Sequence, residues 1–174
     1  LFTDFKNFTK VSELLSPAEL VAEQNTCFTA FDMLLGKYSI EKIKTVGDAY
    51  LAVAGLPRAY DEHAVEMVAL ALDIRAFIRE RHGRLKDRSF DIRIGIHSGE
   101  VVAGIVGVRK FAYDVWGDTV NTAARMEQSC PPGAINISES THSLVQERFH
   151  CTARGGIEVK NKGKLGMYLV EGPR

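Results

Sequence analysis

The feature that most constrains this chain is a change of hydrophobic period near residue 40. Before it, Leu20, Val21, Cys27, Phe28, Phe31, Leu34 and Leu35 recur at helical spacing, opened by the capping box Ser16-Pro17-Ala18-Glu19 and closed by Gly36. After it, Ile40 to Val46 and Tyr50 to Ala54 read as two strands joined at Gly47-Asp48. So tight a connection joins antiparallel neighbours, because parallel ones need a crossover of about a dozen residues or more. An all-parallel sheet is therefore the wrong expectation.

The alternation continues downstream. A helix is expected from Asp61 to His82, with Ala64, Val65, Val68, Leu72 and Phe77 on its buried stripe and Gly83 beyond its end. Phe90 to His97 alternates strictly, so Ile92, Ile94 and Ile96 face a core and Arg93 faces away. Val101 to Val108 and Phe111 to Trp116 read as further strands; Asp118 is expected to cap a helix from Thr119 to Gln128, stopped by Pro131-Pro132-Gly133. The tail reads as a strand from Ala134 to Ile137, a short helix from Ser138, and strands around Cys151, Ile157 to Lys160 and Gly166 to Val170. The expected fold is α/β in the α+β sense, a mixed and mostly antiparallel sheet with helices packed on it. With 174 residues, no repeat and no low-complexity linker, residues 1–174 are expected to form one domain. Leu1-Phe2-Thr3-Asp4 reads as the end of a strand whose start is missing.

Composition narrows the function classes. Lys plus Arg number 22 and Asp plus Glu 22, so the electrostatic footprint of a general nucleic-acid binder is absent. The richest apolar run, Val101 to Val108, is far short of the roughly 18 residues that cross a bilayer, so no membrane contact by this domain is expected. No apolar segment follows Lys6 and Lys10 as in a signal peptide, and Cys27, Cys130 and Cys151 form no CxxC pair, which points to reduced thiols in the cytoplasm. The five histidines show no HExxH spacing, and the glycines from Gly95 to Gly107 lack the Gly-Lys-Ser/Thr ending of a phosphate loop.

Asp4 falls at a strand end and Asp48 at a hairpin turn, where side chains converge above a sheet edge. Two carboxylates with few competing ligands suit Mg²⁺, which takes its remaining oxygens from water and substrate phosphate. Gly-Asp is also an ordinary turn former, and spacing alone does not join these two residues. Asn121 and Arg125 share one face of the expected helix, where a carboxamide and a guanidinium suit a phosphorane, or simply bond a neighbour such as Glu127.

Leu1-Phe2-Thr3-Asp4-Phe5-Lys6-Asn7-Phe8-Thr9 and Lys44-Thr45-Val46-Gly47-Asp48-Ala49-Tyr50 resemble the two metal motifs of the class III nucleotidyl cyclases. Gly55-Leu56-Pro57, Arg93 to Gly99, Tyr113 to Asn121 and Ala124-Arg125-Met126 follow in the family's order. The resemblance implies a ferredoxin-like βαββαβ core with additional strands. It implies Asp4, Asp48 and the Phe5 carbonyl as ligands of two Mg²⁺ or Mn²⁺ ions, and Asn121 and Arg125 as the catalytic pair. Arg93 and Lys160 would hold the polyphosphate, with Lys6, Asn7, Phe8, Thr9, Gly47, Val115 and Trp116 as further substrate contacts. It also implies a head-to-tail homodimer with two shared sites, and regulatory or sensor domains in a parent chain. Asn7 and Asn161 stand where the family usually has Gly.

Lys44 and Asp114 are implied to read the base. Lys44 only donates and ionised Asp114 only accepts, which fits adenine's ring N1 and exocyclic amine and mismatches guanine at both positions. The family's adenylyl cyclases similarly carry Lys and Asp there, and its guanylyl cyclases Glu and Cys. The implied reaction is ATP to 3′,5′-cyclic AMP and pyrophosphate. A guanylyl cyclase and a nucleotide-binding domain without turnover are the alternatives; the second would be expected to lack an aspartate or the Asn/Arg pair.

Overall fold

The computed structural model describes residues 1–109, 111–159 and 162–174. Strand β1 (Phe2–Lys6) lies inside a seven-stranded sheet, antiparallel to β3 (Ala49–Ala54) on one side and to β4 (Asp91–Ile96) on the other. Strand β2 (Ile40–Val46) pairs with β3 through the tight turn at Gly47-Asp48, with a bulge between Lys42 and Lys44. Helices α2 (Pro17–Leu35) and α3 (His63–Leu85) make the two crossovers, so the strand order β2-β3-β1-β4 is that of a ferredoxin-like βαββαβ core. Strands β7 (Ile135–Ser138), β9 (Gly163–Pro173) and β8 (Phe149–Val159) extend the sheet beyond β4, where the β4–β7 pair is parallel. Strands β5 (Val102–Val106) and β6 (Ala112–Trp116) form a separate hairpin.

The sheet is covered unequally. On one face, Phe5 stacks between Phe90 and Phe28, with ring centroids 4.5 and 5.4 Å away, and Phe31 meets Tyr50 edge-on. Cys27, Phe31 and Leu35 of α2 and Met67, Leu70, Ile74 and Ile78 of α3 complete that core. Helix α4 (Asp118–Gln128) lies across the opposite face of β4, and Gly95 is what lets it approach. A Cβ at Gly95 would stand 2.0 Å from the backbone nitrogen of Glu127. No helix among the described residues is long and apolar enough to cross a membrane.

The expected elements form, with five corrections. A helix not anticipated, α1 (Phe8–Leu14), follows β1; it is too short for a periodic signal and is held by Phe8 stacked on Phe90 and by buried Val11. Val21 is exposed, because α2 packs along Glu23, Cys27, Phe31 and Leu35 instead. Gly83 lies inside α3, which runs on to Leu85. Gly117 is the residue that caps α4; Asp118 is its first helical residue and pairs with Lys162. The last two strands are long partners, β8 and β9, with β8 bulged at His150/Cys151 and Ala153/Gly155 rather than broken in two. The short α5 (Glu139–Val145) is capped by Ser138, as its sequence suggests.

Candidate active site

Strand register brings the first cluster together. Asp4 on β1 lies opposite Ala49 on one side, the residue after Asp48, and opposite Arg93 of β4 on the other. Burial and the negative charge of Asp4 push the Asp48 carboxyl above the usual carboxylate range. Burial is the larger cause and the nearby Asp4 carboxylate the next, with the Lys6 charge opposing both. Arg93 Nη2 donates to Asp4 Oδ2 at 2.9 Å, and Lys6 Nζ stands 3.5 Å from the same oxygen. Gln24 of α2 donates to the Gly47 carbonyl at 2.7 Å and pins the turn that carries Asp48, where Gly47 has φ 61°.

The donor set fits divalent ions. Two convergent carboxylates are hard oxygen ligands, and no third His, Cys, Asp or Glu closes around them among the described residues. Phe5 keeps its ring in the core, so any contact with a ligand would have to be through its backbone. The same holds for Val115, whose side chain is buried, and largely for Phe8, whose ring lies 5.4 Å from that of Phe90.

Beneath Arg93 lies a carboxylate that sequence reasoning treated only as a neighbour. Glu127 of α4 is 6% exposed, and its Oε1 stands 2.7 Å from Arg93 Nη2 without hydrogen-bond alignment. Burial pushes its carboxyl up to about 7, opposed by the Arg93 charge. Arg93 also approaches the Gln128 carbonyl at 3.4 Å through Nη1. Spacing holds no sign of this, since Glu127 reaches Arg93 only because α4 crosses β4 at Gly95.

The second cluster joins the two sheets. Lys44 of β2 donates to Asp114 Oδ2 of β6, and that hydrogen bond holds the Asp114 carboxyl below its usual range. The other oxygen of Asp114 accepts from the Val115 N–H at 2.8 Å. Lysine keeps further donors and the carboxylate further lone pairs, so the pair can still meet a ligand. Trp116 beside it is partly exposed. On α4, Asn121 is exposed, and Arg125 donates to the Gln128 side chain at 2.6 Å. No hydrogen bond or ion pair joins the Asp4 cluster to Lys44 and Asp114 among the described residues. Lys160 lies outside the described residues.

Asn7 adopts the left-handed conformation, φ 62° and ψ 19°, at the start of α1. Asn enters this region more readily than other non-Gly residues. Asn7→Ala is expected to cost about 1 kcal/mol, read as a Tm about 2–4 °C lower, whereas Asn7→Gly should melt no lower than the parent. Equal melting of all three proteins would refute the backbone assignment.

Residues 1–172 match the family described as Adenylate and Guanylate cyclase catalytic domain. The chain belongs to that family. An adenylate cyclase of Mycobacterium tuberculosis is 37% identical over 175 residues, which span 99% of this cyclase domain and 39% of that protein. The guanylate cyclase soluble subunit beta-2 of Rattus norvegicus is 36% identical over 171 residues, 98% of this chain and 25% of that one. The guanylate cyclase domain of RhGC from Catenaria anguillulae, solved in complex with GTP, superposes with a TM-score of 0.91 at 36% identity, covering 99% of this chain and 94% of that one. The cyclase domain thus spans well under half the length of these two full-length relatives, and its relatives include both adenylyl and guanylyl enzymes.

Proposed function

We propose that this cyclase domain is an adenylyl cyclase, converting ATP to 3′,5′-cyclic AMP and pyrophosphate. The observation that carries the choice of purine is the Lys44–Asp114 pair, drawn from two different sheets into one donor-plus-acceptor edge. Adenine satisfies both groups; guanine leaves each facing its own kind, and an unpaired buried polar group costs about 1–3 kcal/mol.

Asp4, Asp48 and the Phe5 carbonyl would hold two Mg²⁺ or Mn²⁺ ions. Such ions supply charge neutralisation and a lowered pKa for the ribose 3′-hydroxyl. The 3′-oxygen attacks the α-phosphorus, its proton leaves to water, and the bond to the pyrophosphate oxygen breaks. Arg125 is the cation for the charge that builds on the phosphorane, and Asn121 orients the ribose. Arg93, Lys6 and Lys160 receive the terminal phosphates, with backbone groups of Asn7, Phe8, Thr9 and Gly47 lining the same end and Val115 and Trp116 the base end.

A head-to-tail homodimer accounts for the separation of the two clusters. One chain contributes Asp4, Asp48 and Arg93, the other Lys44, Asp114, Asn121, Arg125 and Lys160. The β5–β6 hairpin supports this reading, since Ile105 is 70% and Phe111 74% exposed, and Val102, Val108 and Trp116 are exposed as well. So many large apolar side chains left to solvent along one hairpin suit an association surface. Further domains in a parent chain fit the greater length of the relatives, and three free thiols suit a cytoplasmic setting.

The test compares ATP and GTP turnover with Mn²⁺ for the parent chain and for Lys44→Glu combined with Asp114→Cys. The parent is expected to prefer ATP. In the double variant, that preference should fall on the order of 10²-fold, as two mismatched contacts imply. A parent that prefers GTP, or an unchanged ATP preference in the variant, would overturn the base reading.

A further inference from the structure

We infer that Glu127 is a positioning residue for Arg93, holding its guanidinium toward the terminal phosphates of the nucleotide; this rests on the reading of the site as a nucleotidyl cyclase centre. The argument begins with what Arg93 can lean on. Its Nη2 is shared between Asp4 at 2.9 Å and Glu127 at 2.7 Å, its Nη1 is 3.4 Å from the Gln128 carbonyl, and its buried Nε has no partner. Two carboxyl groups therefore hold a cation whose fork is otherwise almost unused.

The two carboxyl groups are not equivalent. Asp4 stands at the open cleft beside Asp48, and its charge is the one engaged when the site fills. Glu127 lies on the buried face of α4, nearly sealed from solvent, on a backbone pressed against Gly95. Once Asp4 is engaged elsewhere, Glu127 is the remaining carboxylate in contact with Arg93 among the described residues. A planar guanidinium pays for bidentate phosphate recognition only when its plane is already set, and a buried carboxylate behind it sets that plane.

The sign of the effect distinguishes this role from its rival. If Glu127 acted only through its negative charge, neutralising it would raise the local potential and tighten phosphate binding. If it positions Arg93, Glu127→Gln should weaken inhibition by pyrophosphate on the order of tenfold, as loss of a supporting partner typically does. Inhibition by cyclic AMP, which lacks the terminal phosphates, should stay within about twofold by the same logic.

The experiment measures both product-inhibition constants for the parent, Glu127→Gln, Arg93→Gln and the double variant. Glu127→Gln should add nothing to Arg93→Gln. Tighter or unchanged pyrophosphate inhibition, equal weakening of both inhibitors, or a full additional loss in the Arg93→Gln background would each overturn the proposal. Should Glu127→Gln fail to fold, Glu127→Asp keeps the charge on a shorter stem, and the same inhibitor-specific weakening is required of it. Calorimetric titration of the parent and variants with pyrophosphate and Mn²⁺ reads the Arg93–Glu127 link without turnover. A parent that cyclises GTP instead of ATP would sink the base reading alone, since pyrophosphate leaves in either reaction.

Discussion

Chains carrying Asp48→Ala, mixed with chains carrying Asn121→Ala, are expected to make cyclic AMP although neither variant does so appreciably alone. Asp48 sits in the β2–β3 turn beside Asp4, and Asn121 stands on the exposed face of α4. In a head-to-tail dimer, each site takes the first residue from one chain and the second from the other. A mixed dimer then has one site with both lesions and one with neither. Each variant alone should lose on the order of 10²–10³ in rate or more, the usual scale for a missing charge-stabilising group. Random pairing makes half of the dimers mixed, so recovery should approach about a quarter of the parent rate. Activity should also rise steeply with chain concentration, because the site exists only in the dimer. No recovery, at concentrations where mass spectrometry detects mixed dimers, would mean that each chain builds its own site.

That expectation draws on residues the sequence exposed and on geometry it did not. The hairpin at Gly47-Asp48 and the alternation from Ile92 to Ile96 were legible because turn chemistry and side-chain period are local properties. The register that sets Arg93 opposite Asp4, 89 positions away, was not local and only the structure gives it. Asn7 was marked only by the resemblance, as a place where the family usually has Gly, and the structure adds its left-handed conformation. Burial of charged groups was not legible either. Glu23 is buried in α2 because Arg81, 58 residues away, and Ser89, 66 away, meet its carboxylate. Asp118 looked like a cap, yet its partner Lys162 lies just before β9, 44 residues on. Glu127 is the sharpest case, since its role depends on a helix crossing a strand at a glycine. Periodicity describes which face of one element is apolar; it does not say where two elements touch.

Gly95 concentrates that dependence, and Gly95→Ala is expected to cost both stability and activity. The added Cβ would lie 2.0 Å from the Glu127 nitrogen, 2.5 Å from its Cα and 2.7 Å from the Met126 carbonyl carbon. All three are backbone atoms of α4, so no side-chain rotation relieves the clash and the helix itself must move. Overpacking of this kind costs about 1–3 kcal/mol, and each kcal/mol lowers Tm by about 2–4 °C in a domain of this size. Catalysis should suffer more, because the displaced helix carries Asn121 and Arg125, and a shift of about 1 Å in reacting groups costs on the order of 10²-fold. Gly83→Ala provides the contrast: Gly83 lies within α3 with nothing inside 4 Å of a built Cβ. There the substitution should stabilise by about 0.5–1 kcal/mol and leave turnover unchanged. Thermal melts and cyclic AMP assays on both variants decide the matter. If Gly95→Ala melts and turns over like the parent, α4 does not lie on β4 as described, and the Arg93–Glu127 contact falls with it.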